Sequence, residues 1–278
     1  GLSPADLAMH VVLPEVDGRL FAGLISHKSP GMKHPELQFS RFAHRADAGR
    51  ITAVVDRVKH WHHLAITPAQ DRQLAIILST YPGRAHQMAH AVGLDALAST
   101  DHLLESLTTE GYSITAGKPL TEALAETLTW PLSAYEAALE TLPEPLRSDL
   151  HSAWGDPATD PSVRDGQFHF PATRRGNALI ALQPERGDVT QRDNDYHDLS
   201  RTPRHAYVAF YLWLRAQALH TLIHMGAHGT LEWLPGKSVA LSDTCWPDAL
   251  IGPTPVIYPF IVNDPGEAAQ AKRRIGAV

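Results

Sequence analysis

Four short apolar runs lack the polar–apolar alternation of a half-exposed strand: QLAIILST (73–80), NALIALQ (177–183), ALHTLIHMG (218–226) and PVIYPFIV (255–262). A strand with one face in water alternates with period two, so runs of this kind mark strands covered on both faces. Parallel sheets bury their strands in this way, because the crossover helices lie on both sides. The third run is the least decided. It can prolong the helix before it, but the β-branched Thr221 and Ile223 and the glycine-rich exit favour a strand that ends near His224. The expected class is therefore α/β, with mixed or parallel sheets flanked by helices.

Between these runs the period changes. Val54, Val55, Val58 and Trp61 recur at helical spacing and predict an amphipathic helix over 51–64. AHQMAHAVG (85–93) reads as the helix after the first buried strand, stopped by Gly93. Ser99 or Thr100 caps DHLLESLTTE, which ends at Gly111, and further helices are expected over 120–129, 132–141 and 144–154. HAYVAFYLWLRAQ (205–217) is a helix with an aromatic stripe. Asp264, Pro265 and Glu267 have the spacing of a cap, a first helical position and a capping box for the last helix. MHVVLPEVDGRLFAGLIS (9–26) reads as two strands about an Asp17–Gly18 turn. Residues 155–175, rich in Gly, Pro and Asp, read as a surface loop or domain junction, which predicts an N-terminal lobe over 1–155 and a C-terminal lobe over 156–278.

Composition excludes some function classes. A formal net charge of −6 argues against nucleic acid or an anionic membrane as the main partner. No apolar run approaches the roughly 18 residues of a membrane span, and GLSPADLAMH lacks a secretory pattern. The single cysteine, Cys245, rules out an internal disulfide framework and fits a reducing, cytoplasmic setting. The chain has 278 residues, enough for one large domain or two modest ones. It starts at Gly1 and stops at RRIGAV, so a fragment of a longer protein is expected.

The stretch HMGAHGTLEWLPGK (224–237) concentrates chemistry where a buried strand leaves the sheet, and ligands of α/β sheets collect at that end. His224 and His228 offer imidazole and Glu232 a carboxylate, a donor set for a borderline divalent ion such as Co²⁺ or Zn²⁺ rather than Mg²⁺ or Ca²⁺. On a helical turn His228 and Glu232 share a face; alternatively Glu232 is a base that takes protons from whatever coordinates the metal. His224 as a core histidine, with Glu232 at a helix start, explains the same spacing. The metalloprotease order H-E-x-x-H is absent, and Leu231 stands where a phosphate-binding loop needs its first glycine, so ATP is not expected to bind here in that manner. A zinc hydrolase needs a third protein ligand beside an open position.

Other groups are weaker. The 17 histidines invite a metal reading, yet HWHH (60–63) suits a solvated face. His86 and His90 are four apart without a third ligand, and His197 in DNDYHD (193–198) suits a polar loop. Cys245 offers a soft ligand or merely a small apolar side chain. Lys272, Arg273 and Arg274 complement a helix C-terminus, or bind a carboxylate-rich ligand.

HMGAHGTLEWLPGK, YPFIVNDPGEAAQAKRR and GLSPADLAMHVVLPEVDGRL, with STYPGRAHQMAHAVGLDALAS and GNALIALQPERG, resemble the CobN family, the large subunits of aerobic cobaltochelatase. The large subunit of magnesium chelatase is its relative. The resemblance runs through the whole chain, and LPGK (234–237) and NDPGEAAQAKRR (263–274) look like the cobalt form. It implies a complete enzyme that inserts Co²⁺, as substrate metal, into hydrogenobyrinic acid a,c-diamide during cobalamin synthesis. It also implies two smaller partner subunits forming an AAA-type ATPase complex, which uses ATP and Mg²⁺ that this chain does not bind. The alternative within the superfamily is insertion of Mg²⁺ into protoporphyrin IX. On these positions the resemblance makes Glu232 and His228 catalytic candidates and His224, His228 and Glu232 metal candidates. Trp233, Lys237, Lys272, Arg273 and Arg274 become candidates for gripping the substrate, the cations by pairing with its carboxylates.

Overall fold

The computed structural model describes residues 3–79, 90–91, 94–187, 198–226, 230–259 and 265–278. The chain starts with a helical stretch, not the expected pair of strands: α1 (Pro4–Leu7), a π-helical turn (Ala8–Val12) and α2 (Leu13–Val16) run on without a break. Ser3 and Asp6 form a reciprocal capping box that starts it. Pro14, lacking an N–H and crowding the carbonyl four residues back, accounts for the wider turn before it. Gly18, at φ +76°, ends the stretch.

β1 (Ser26–Lys33) and β2 (Ser40–Ala46) form an antiparallel hairpin separate from the main sheet. α3 (Ala48–Ile66), capped by Asp47, matches the helix expected over 51–64. Its expected core face is only partly used, since Val55 and Val58 are exposed. Instead Arg50 and Arg57, two turns apart, both reach Asp248, at 2.8 and 3.0 Å.

β3 (Leu74–Leu78) is fully buried, as expected for the first run. Of the helix expected over 85–93, only residues 90–91 are described, and they form β4 (His90–Ala91), paired with β5 (Leu94–Asp95). Asp95, rather than Ser99 or Thr100, caps α4 (Ala96–Thr109). The helix expected over 120–129 is instead the short α5 (Leu120–Ala123) followed by β6 (Thr127–Pro131), where two threonines and Trp130 favour extended backbone. α6 (Leu132–Leu139) and α7 (Glu144–Trp154) occur close to where they were expected.

The expected loop over 155–175 is largely strand: β7 (Val163–Arg164) and the nine-residue β8 (Gln167–Arg175). Phe168, Phe170 and Ala172 alternate inward along β8. A tight turn at Gly176, φ +60°, joins β8 to β9 (Ala178–Leu182); a Cβ there would lie 2.2 Å from the Ser113 oxygen. α8 (His205–Arg215), β10 (Thr221–Met225), a 3₁₀ turn at Leu231–Trp233, α9 (Trp246–Ile251), β11 (Val256–Ile257) and α10 (Pro265–Ile275) complete the described chain. The Asp264 and Glu267 capping interaction lies outside the described residues.

The main sheet has seven strands in the order β11-β10-β3-β9-β8-β6, with β7 beside β8. β11, β10, β3 and β9 are parallel; β8, β6 and β7 continue antiparallel. The boundary expected at residue 155 falls inside this sheet, with β3 and β6 from before it and β7 to β11 from after it. α8 covers one face, over Ile77, Ala181 and Leu222, and is buried from His205 through Leu214. α4 covers the other, over Leu78, Ile180 and Met225. Among the described residues no helix is long and apolar enough to cross a membrane.

Candidate functional site

The register of the four parallel strands aligns their carboxyl ends. Leu78 stands beside Leu182 and Met225, and Ile257 beside Ile223. On the α8 face of this edge, apolar packing gives way to buried polar side chains.

His224, on β10, is 0% exposed. Its imidazole lies nearly parallel to two tyrosine rings, Tyr211 at 6.3 Å and 5° and Tyr258 at 5.5 Å and 11° between planes. Nε2 lies 3.4 Å from the Tyr211 hydroxyl, while Nδ1 has no hydrogen-bond partner among the described residues. Burial pushes the imidazole pKa down to about 4, so the ring is neutral at physiological pH. A neutral ring can present a nitrogen lone pair, so the group fits both a packing and a ligand role.

Glu232 lies in the 3₁₀ turn that follows β10 and is also 0% exposed. The Tyr258 hydroxyl donates to its Oε1 at 3.1 Å. Tyr258 thus touches both candidates, stacking on one and hydrogen-bonding the other. Alongside them, Gln183 donates to the hydroxyls of Tyr207 and Tyr211, and Thr230 lies 2.8 Å from the Tyr207 hydroxyl. Burial raises both phenols well above their usual range, which keeps them protonated. Ser79, at the end of β3, is 5% exposed, and its hydroxyl has no partner among the described residues.

Arg274, on α10, is 2% exposed and donates to three main-chain oxygens, those of Glu232, Leu234 and Lys237. It fixes the backbone that carries Glu232, and burial lowers its pKa. Gly236, at φ +153°, leaves it room, since a Cβ there would lie 3.1 Å from Arg274 Nη2 and 2.8 Å from the Cys245 Cβ. Arg186 is likewise buried and donates to the main-chain oxygens of Trp233 and Asp198.

The other substrate-grip candidates are dispersed. Arg273 forms a two-pronged ion pair with Glu15, at 2.8 and 3.0 Å, which raises its pKa. Lys272 Nζ lies 3.4 Å from the Glu15 main-chain oxygen and borders a cavity of about 370 Å³ that Tyr258 also lines. Lys237 is exposed and borders a cavity of about 610 Å³ together with Arg50 and Arg215. Trp233 is half-buried. The Cys245 sulfur lies 3.4 to 3.5 Å from the Ser242 and Lys237 N–H groups.

His228, His86 and His197 lie outside the described residues, as does the His90 side chain. Among the described residues no three His, Cys, Asp or Glu side chains gather closely enough to hold a metal ion. His224 and Glu232 were legible in the sequence. Tyr258, Gln183, Tyr207 and Tyr211 were not singled out; the four-residue spacing of the two hydroxyls within the aromatic stripe of α8 was the available signal.

A family model described as CobN/Magnesium Chelatase matches residues 1–278. Aerobic cobaltochelatase subunit CobN of Pseudomonas aeruginosa is 41% identical over 298 residues, covering 100% of this chain and 24% of that protein. A magnesium-chelatase subunit of Rhodobacter capsulatus is 30% identical, covering 100% of this chain and 25% of its own. The solved catalytic subunit of cobaltochelatase from Mycobacterium tuberculosis superposes with a TM-score of 0.84 at 33% identity, covering 100% of this chain and 25% of that one. The chain therefore spans about a quarter of the length of the relatives it matches.

Proposed function

The chain belongs to the CobN/magnesium chelatase family, and from that premise we propose that it is part of the large, tetrapyrrole- and metal-binding subunit of an ATP-dependent cobaltochelatase. The metal substrate is Co²⁺ and the ring substrate hydrogenobyrinic acid a,c-diamide, within cobalamin synthesis in the cytoplasm. Two smaller subunits supply ATP hydrolysis. The observation that carries the reading is the match over the whole chain, stronger toward the cobalt relative at 41% identity than toward the magnesium relative at 30%.

The site's chemistry supports it. Metal insertion strips water from the ion and removes a proton from a ring nitrogen. Glu232 is a buried carboxylate with a backbone held from beneath by Arg274, and it is the group proposed to take that proton. His224, neutral at working pH, keeps positive charge away from the approach of a divalent cation. His228 remains the second candidate for base and metal contact, carried by its place in the motif. Lys237 and Lys272 are proposed to meet substrate carboxylates, since neither forms an ion pair with a described residue.

The test is insertion by the full-length protein with both smaller subunits and ATP. Loss of metal-free corrinoid absorbance on adding Co²⁺, abolished in Glu232→Gln and His228→Ala, is the expected result. Unimpaired insertion by both variants contradicts the site, and a preference for Mg²⁺ and protoporphyrin contradicts the cobalt assignment.

A further inference from the structure

Residues 3–66 contribute almost nothing to the core. Val11 is the one hydrophobic side chain buried among them, and neither hydrophobic core cluster contains a residue of this stretch. Fourteen large apolar side chains between Met9 and Ile66 are exposed, against two, Leu199 and Val278, in the rest of the described chain. On α3, Ile51, Val55, Val58 and Ile66 fall on one stripe. The β1–β2 hairpin adds Phe42 and Met32, the latter 96% exposed, with Leu37 and Phe39 in the loop between its strands. Polar contacts tie the stretch to the body instead. Arg50 and Arg57 reach Asp248 from a different flank of α3, and Glu15 pairs with Arg273. The His63 ring lies 4.8 Å from that of His220.

A stretch of this length that buries a single apolar side chain does not offset the entropy of its own ordering. Folded chains rarely leave so many large apolar side chains together in water, so this face has a permanent cover. Charge describes the cover. The hairpin carries Lys28, Lys33, Arg41 and Arg45 against Glu36 alone, in a chain whose formal net charge is −6. The matching surface is apolar with acidic groups at its rim. Two copies meeting hairpin to hairpin across a two-fold axis would set these cations against each other. Length describes where the cover lies. The chain covers 24% of the Pseudomonas aeruginosa relative and 25% of the solved subunit, so most of each lies outside the matched region. A cover within the same polypeptide is present at high effective concentration at all times, which a partner that binds and leaves is not.

We propose that the exposed apolar face of residues 9–66 is buried in the full-length large subunit by an acidic-rimmed apolar surface of the polypeptide outside residues 1–278. The proposal rests on this chain being part of that larger subunit, and not on the metal or on the residues of the site.

The experiment is hydroxyl-radical labelling, read by mass spectrometry at Met32, Phe39 and Phe42. It uses the full-length protein alone, at low and high concentration, and then with both smaller subunits. Labelling is expected to be about tenfold slower than in the urea-unfolded protein under all three conditions. Labelling of the protein alone at the unfolded rate overturns the proposal. Protection that appears only with the smaller subunits, or only at high concentration, gives the face to them or to a second copy and overturns it equally. A photoreactive phenylalanine analogue in place of Phe42 should cross-link within the same polypeptide to residues outside 1–278, and cross-links confined to 1–278 count against the proposal. Lys33→Glu with Arg41→Glu should raise Phe42 labelling several-fold, and Lys33→Gln with Arg41→Gln should raise it less; equal labelling in all three proteins contradicts the acidic rim. Insertion is measured in parallel. Activity with an uncovered face overturns this proposal and leaves the proposed function standing, and a covered face without activity does the reverse.

Discussion

Arg274 and Glu232, 42 residues apart, are joined through the main chain: the guanidinium donates to the carbonyl oxygen of the very residue whose carboxylate is the candidate base. The same guanidinium serves Leu234 and Lys237. The family motif is thus fastened to α10 by a residue that the sequence suggested for the substrate. Arg274→Met keeps most of the volume but leaves three carbonyls without their donor. We expect a loss of about 3 kcal/mol in urea unfolding, and a loss below about 1 kcal/mol contradicts this role.

Gly236 makes room for that fastening. Gly236→Ala places a methyl group 2.8 Å from the Cys245 Cβ at a backbone angle of +153°. A destabilisation of about 2 kcal/mol is expected, and Lys237 should become more accessible to amine-modifying reagents. A melting temperature equal to that of the unaltered protein excludes the clash.

His224 gives the fold a pH dependence of definite sign. Its folded pKa of about 4 lies below the unfolded value near 6.5, so the unfolded chain binds the proton more readily. Its contribution is complete above about 6.5 and falls away as pH drops toward 4, by about 3 kcal/mol in total. His224→Phe should lose less stability than the unaltered protein between those pH values. Parallel curves mean the imidazole is hydrated in solution.

Asp160 acts at lower pH. Burial raises its pKa, but Arg204 at 2.6 Å and the N–H groups of Ser162 and Ala206 outweigh burial, and the net shift is downward. The associated stability is present above about 3.9 and is lost as pH falls through the folded value. Asp160→Asn should flatten thermal stability over that acid window; an unchanged slope assigns it to other carboxylates.

Asp248 holds α3, which has no buried residue of its own, through Arg50 and Arg57. Asp248→Asn weakens both contacts, with an expected cost of about 1 to 2 kcal/mol and faster amide exchange along α3. Exchange confined to its usual rate shows that the helix is held by other contacts.

The parallel strands were legible because full burial leaves an unbroken apolar run, as in LAIIL and ALIAL. β8 was not, because the glycines, prolines and aspartates of residues 155–175 outweighed the short alternation of Phe168, Phe170 and Ala172. The N-terminal helix was missed because the Asp17–Gly18 pair between apolar segments suggested a turn joining two strands, while the capping pair Ser3 and Asp6 went unweighed. In the site, His224 and Glu232 share one short motif and could be read together. Tyr258, Gln183 and Tyr211 come from separate segments and meet through strand register and the packing of α8 on the sheet, which no local pattern records.

α8 has no solvent face from His205 to Leu214, yet it presents Tyr207 and Tyr211 to the site. A genetic selection for recovered activity after damage at either tyrosine should therefore return compensating changes scattered through the helices and strands that enclose α8. The inheritance of function at this edge is tied to the whole interior, and the tyrosines can be exchanged only together with their surroundings.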